Sequence, residues 1–227
     1  MVVWVFAGGG KAELKGLIIF LQKNFPQHTF ERKTPINDTK PGPRPGIQSL
    51  GRTGKSLVQQ IRYFLPISLK DGICDKILVL DDLDCHLIER YRQKFVDAAL
   101  EILNGRNVSV LTVFASPEIE AWLIADWENS FGKEFKSHQV EIRRKLSQKY
   151  KKSRPDNMGN IEHPESFSYF DSGRDTCTEK LSRVVVTVVE EIDGNYSKDE
   201  HSGRMLQNIN AARVCEKCPS ARGLLQL

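Results

Sequence analysis

The chain has 227 residues, with 33 lysines and arginines against 29 aspartates and glutamates, a net charge of +4, and 40% hydrophobic residues. That balance suits one good core with room for a small appendage, and it excludes a disordered or fibrous chain. No apolar run approaches the ~20 residues of a membrane span. The N-terminus also lacks the basic flank and cleavage site of a signal peptide, so a soluble, cytoplasmic protein is expected.

Val2 to Phe6 is a short apolar run, rich in β-branched residues and followed by Gly8, Gly9 and Gly10. It predicts a strand buried on both faces and then a tight turn. From Lys11 to Phe25 the period changes: Leu14, Leu17, Ile18 and Leu21 mark one helix face, closed by Pro26. Thr29 to Lys33 reads as a second short strand. Residues 34 to 54 hold four of the ten prolines and predict an exposed loop. Ser56 to Leu65 is helical in period. Lys76 to Leu80 (KILVL) is the clearest strand and runs into Asp81, Asp82, Leu83 and Asp84. A helix over Leu87 to Leu103 and a buried strand over Asn107 to Phe114 follow. Ser116-Pro117-Glu118 then looks like a helix start, with serine as N-cap and proline in the first turn.

In the basic segment, Ile142, Leu146 and Tyr150 form one helical stripe. Residues 153 to 173 read as loop, and Thr176 to Ile192 and Lys198 to Val214 as helices. Strand and helix alternate over residues 1–130, which predicts an α/β core: a mostly parallel sheet flanked by helices. Residues 131–227 predict a mainly helical extension packed on that core.

Charge is concentrated. Nine lysines and arginines face two glutamates between Lys133 and Arg154, a pattern that suits either a solvated helix face or a polyanion-binding surface. Arg143, Arg144, Lys145, Lys149, Lys151 and Lys152 are the candidate nucleic-acid contacts there. Gly51 to Ser56 resembles a phosphate loop, but Ser49 stands where the first glycine should be. Arg52 and Lys55 remain as candidate phosphate contacts on a basic loop. Of five cysteines, Cys215 and Cys218 form one CxxC with no second pair to complete a zinc site. The odd count predicts reduced thiols rather than a disulfide framework.

Ligands bind parallel sheets beyond the carboxyl ends of the strands. Asp81, Asp82 and Asp84 follow one strand, and Glu118 and Glu120 follow another. Carboxylates gathered there repel one another unless a cation lies among them, and hard oxygen donors suit Mg²⁺ or Mn²⁺. The structural alternative is that these acids cap helices and turns, Glu118 above all.

These residues resemble the Toprim domain, shared by topoisomerases, bacterial primases and a group of nucleases. Asp82-Leu83-Asp84 matches its Asp-x-Asp, and Ala115 to Asp126 is similar to small bacterial Toprim-like proteins encoded beside ABC-type ATPases in anti-phage systems. The resemblance covers residues 1–130. It implies a Rossmann-like fold and an Mg²⁺-dependent nuclease, the toxic effector subunit of a defence system, with an ABC-type or AAA ATPase and nucleic acid as partners. Self-association is left open. The resemblance also implies a catalytic glutamate after the first strand, where this chain has Ala7, so impaired catalysis is expected. Asp82, Asp84 and Glu120 are the remaining catalytic candidates, and Asp81 and Glu118 further metal ligands. The competing expectation is a non-catalytic Toprim-like subunit that docks on an ATPase or nucleic acid.

Overall fold

The computed structural model describes residues 1–8, 10–34, 54–154, 158–193 and 196–227. Strand β1 (Val2–Ala7) leads into helix α1 (Lys11–Asn24) and strand β2 (Thr29–Arg32). Helix α2 (Gly54–Asp71) precedes β3 (Lys76–Asp82), α3 (Ile88–Leu103) and β4 (Ser109–Ala115). The four strands make one parallel sheet in the order β2-β1-β3-β4. Most of the segment read as the 34–54 loop lies outside the described residues.

The second half is mainly helical: α4 (Glu120–Ala125), α5 (Phe131–Glu134), α6 (Gln139–Lys152), α7 (Leu181–Asp193), α8 (Gly203–Asn208) and α9 (Ala211–Lys217). Between α6 and α7 lies an antiparallel ribbon of β5 (Phe170–Asp171) and β6 (Thr176–Cys177). The fold is therefore α/β, with a parallel sheet flanked by helices and a helical second half. Among the described residues no helix is long and apolar enough to cross a membrane.

Strand side chains alternate between two faces. Trp4, Phe6, Ile77, Val79 and Phe114 pack under α2 and α3. Val3, Val5, Ala7, Leu78, Leu80, Val113 and Ala115 share one continuous cluster with α1 and the C-terminal helices. The expected Ile142, Leu146 and Tyr150 stripe of α6 is buried in that second cluster. The open edge at β4 is covered by the last turn of chain: Ser220 Oγ donates to the Phe114 carbonyl at 2.9 Å. A Cβ on Gly223 would come within 3.0 Å of Val113, so glycine permits this close approach. Covering the strand edge blocks pairing with another chain.

Four boundaries differ from expectation. Helix α2 continues through Pro66 to Asp71, because Leu57, Ile61 and Leu65 anchor it on the sheet despite the lost N–H. Ser116 caps no helix: the Ser116–Pro117 bond is cis, α4 begins at Glu120, and Asp82 Oδ1 accepts from the Ile119 N–H at 2.9 Å. Residues 176–180 do not join the next helix but form β6 and its exit. The last long helix is split, since the Asn210 side chain accepts from the Ala212 and Arg213 N–H groups and starts α9 anew.

Phe114 is fully buried, with ring centroids 6.2 Å from Phe95 and 6.4 Å from Tyr91. Phe114→Ala should cost about 3–5 kcal/mol in urea unfolding, as large core truncations do. Leu100→Ala, at an exposed site on α3, should stay within ~0.5 kcal/mol.

Candidate functional site

The strand order places β2 on one side of β1 and β3 on the other. The crevice beyond the carboxyl ends of β1 and β3 is therefore a topological switch point, the usual ligand site of such sheets. The Gly8 N–H donates to the Leu80 carbonyl at 3.2 Å and joins the two walls. Leu83 N–H to Ala115 O (2.8 Å) and Asp84 N–H to Pro117 O (2.9 Å) bring residues 116–120 alongside.

The pleat of β3 divides the acidic motif. Asp82 continues the face of Leu78 and Leu80, toward α1 and α4, whereas Asp81 continues the face of Ile77 and Val79, toward α3. The Asp82 carboxyl is pushed well above the usual range by burial, and then by the charges of Glu13, Glu120, Glu118 and Asp81. Asp81 is raised to about 8, chiefly by burial, with Asp84 and Glu13 adding. Its Oδ2 has no hydrogen-bond partner among the described residues. Burial first, and then Asp81 and Asp84, lift the Tyr91 hydroxyl to about 12.

Glu13 was not singled out from the sequence, yet it is buried in the first turn of α1 and its charge reaches both Asp81 and Asp82. A Cβ on Gly10 would collide with the Glu13 carboxylate, so glycine there lets the side chain fold back over the turn. The available signal was an acid in the first turn of the helix that leaves the glycine turn. Arg32 fixes this wall: its guanidinium donates to the carbonyls of Glu13 (2.7 Å), Gly8 (2.6 Å) and Thr34. Burial lowers Arg32 to about 10, with the Glu13 charge opposing. Ala7 is wholly buried in the sheet, and the Thr34 hydroxyl accepts from its N–H at 2.9 Å.

Three of the expected acids are engaged by the protein itself. Asp82 Oδ1 holds the Ile119 N–H. The two oxygens of Glu118 accept from the Ser182 N–H (2.9 Å) and hydroxyl (3.0 Å), so Glu118 caps α7. Lys180 is ion-paired to Asp84. Glu120 is 1% exposed, and its charge reaches both Asp82 and Tyr150. Among the described residues no three His, Cys, Asp or Glu side chains converge closely enough to hold a metal ion. The donor chemistry nonetheless fits magnesium, which takes one or two carboxylates and keeps its waters. The charge gathered around Asp82 is what a cation there would relieve.

Beside this crevice the cysteine expectation is corrected. Cys85, next to Asp84, is disulfide-bonded to Cys177 in β6. A sequence separation of 92 residues left the pairing invisible before folding. Cys74, Cys215 and Cys218 are free and buried, and burial lifts the Cys215 thiol to about 11.

The basic row also divides. Arg143 pairs with Glu162 (2.5 Å), Lys145 with Glu191 (3.4 Å) and, loosely, Arg144 with Glu141 (3.9 Å). Lys149, Lys151 and Lys152 are exposed in the last turn of α6. His138 at the start of α6 meets Asp193 at the end of α7 at 2.7 Å. The two helices therefore run antiparallel, and the lysines lie toward the Glu118-capped end of α7. Lys55 is in the first turn of α2, and Arg52 lies outside the described residues.

A family model described as "Domain of unknown function (DUF4276)" matches residues 20–227. The chain belongs to the DUF4276 family. No curated protein and no solved structure matches it. The DUF4276 match takes in Asp81 to Asp84, Glu118, Glu120, α6 and α7, and it begins within α1, after Glu13.

Asp81 gives a pH test. Its folded value of about 8 stands above the ordinary ~3.9 of an unfolded aspartate. The folded state thus holds a proton that the unfolded state releases, and stability is lost as pH rises from about 4 through 8. With divalent cations chelated, Tm should be lower at pH 8.5 than at pH 5.5. Asp81→Asn should flatten that dependence and raise Tm at pH 8.5 by about 2–4 °C. An unchanged slope would exonerate Asp81.

Proposed function

We propose that this chain is a metal-dependent nuclease that cleaves DNA or RNA phosphodiesters, with Asp82 and one neighbouring carboxylate, Glu13 or Glu120, holding an Mg²⁺ or Mn²⁺ ion that keeps its remaining waters. One observation carries the reading: Glu13, Asp81, Glu118 and Glu120 are all buried at the switch-point end of the sheet, and burial together with their charges raises Asp82 above the ordinary aspartate range. Perturbed acids in such a crevice mark functional sites. When bound, the metal would stabilise the charge of a phosphoryl group under attack.

In this reading Glu13 supplies the carboxylate that the Toprim resemblance seeks at Ala7. It comes from the first turn of the next helix, whose backbone Arg32 ties to the Gly8 carbonyl, and Gly10 leaves room for the Glu13 side chain to fold back. Asp81, protonated up to about pH 8, keeps a proton available beside the crevice. Lys149, Lys151 and Lys152 would neutralise the substrate backbone. A role as a cytoplasmic anti-phage effector working with an ABC-type ATPase rests on the resemblance alone. The second reading, a non-catalytic docking subunit, is favoured by Lys180 and Ser182, which satisfy Asp84 and Glu118 without a metal.

The test is Mg²⁺- or Mn²⁺-dependent cleavage of mixed DNA and RNA, with any ATPase encoded nearby present. Glu13→Gln and Asp82→Asn should each lower the rate about 10²–10³-fold. If Ala7→Glu is needed before any cleavage appears, Glu13 is not the substitute. If neither form cuts, the docking reading replaces this one. For nucleic-acid binding, replacing Lys149, Lys151 and Lys152 with alanine should weaken affinity for all sequences and reduce the salt slope by about one per lysine in phosphate contact.

A further inference from the structure

We propose that the Cys85–Cys177 bridge is a redox latch, holding residues 168–182 as a strap against the acidic crevice until a dithiol reductant releases it. The inference rests on that crevice being the working site.

The strap reaches the crevice at successive points. Cys177 is bonded to Cys85, the residue after Asp84. Three residues on, Lys180 pairs with Asp84; two further, Ser182 takes both oxygens of Glu118. At the other end, Phe170 lies 4.9 Å from the His86 ring, which stacks on Tyr91 at 4.8 Å. The cation and the helix N-terminus of the strap thus engage two carboxylates, Asp84 and Glu118, whose charges bear on Asp81 and Asp82 and would otherwise add to the pull on a cation at the crevice.

The strap is anchored at its ends by buried Ser168 and Leu181, but the ribbon between them has little besides the bridge to hold it against the crevice. Its ribbon has two residues per strand, and Tyr169 and Phe170 are exposed; ribbons so short do not stand alone. The Lys180–Asp84 pair is partly exposed, and such pairs are weak unless a tether keeps the partners close. Asp84 and Cys85 both take left-handed backbone, with φ of 48° and 62°. Neither is glycine, so this loop is held in place by its attachments. Cys85 is only partly buried, whereas Cys177 is buried, so a reductant would approach the bridge from the Cys85 side.

The chemistry is ordinary thiol–disulfide exchange. A reductant thiolate attacks one bridge sulfur, the S–S bond breaks and a mixed disulfide forms. The second reductant thiol then displaces the protein sulfur. Two electrons pass to the bridge, two protons end on Cys85 and Cys177, and the reductant leaves as its own disulfide. A low-molecular-weight disulfide reverses the exchange. Disulfides in reducing compartments are mostly of this transient, sensing kind.

The experiment compares the full chain, oxidised and after dithiothreitol, by hydrogen exchange and by calorimetric titration with Mn²⁺ alone. Reduction should speed exchange of the amides of residues 178–182 and tighten Mn²⁺ binding about tenfold. Cys177→Ser and Cys85→Ser should each behave as reduced with or without dithiothreitol, and Lys180→Ala should bind Mn²⁺ more tightly even when oxidised. Should either cysteine variant fail to fold, the native chain with and without reductant still decides. Unchanged exchange on reduction overturns the latch. Faster exchange with equal Mn²⁺ affinity overturns gating of the acids and leaves the metal site standing. Faster exchange with no Mn²⁺ uptake in either state upholds the latch and removes the metal reading.

Discussion

Four parallel strands end on one edge of the sheet, and that edge must absorb the carboxylates the chain places there. Burial makes each charge costly, and each buried charge makes its neighbours costlier. Burial raises the Asp82 carboxyl well above its ordinary value, and Glu13, Glu120, Glu118 and Asp81 add to that rise. Much of the surrounding structure answers this constraint. Arg32 clamps the turn that carries Glu13, the Ile119 N–H is aimed at Asp82, and α7 starts where Glu118 can cap it.

These devices explain why the second half of the chain shares a core with the first. Helices α6 and α7 are joined to the sheet through one cluster with α1 and α4. Glu118 and Lys180 link the acidic edge directly to the start of α7. A tail that packed elsewhere would leave two carboxylates and a strand edge without partners. The C-terminal turn completes the arrangement by covering β4.

The disulfide sits where the two halves meet at the acidic edge. It ties the loop after β3 to the ribbon before α7, and both sides of that tie carry charged partners. The positive φ angles of Asp84 and Cys85 show how far this loop depends on what holds it.

The linear chain determined the four strands of its parallel sheet, its sheet class and the apolar stripe of α6, because periods of 2 and 3.6 residues are local properties. It also marked Asp81, Asp82, Asp84, Glu118 and Glu120 as acids at strand ends. Only the tertiary structure decided which of them meet. The pleat sends Asp81 and Asp82 to opposite faces, Glu13 folds back over Gly10, and Ser182 and Lys180 arrive from 64 and 96 residues away. Convergence of this kind depends on topology and burial, and no local pattern of hydrophobicity or charge encodes the distance between two side chains so far apart in sequence.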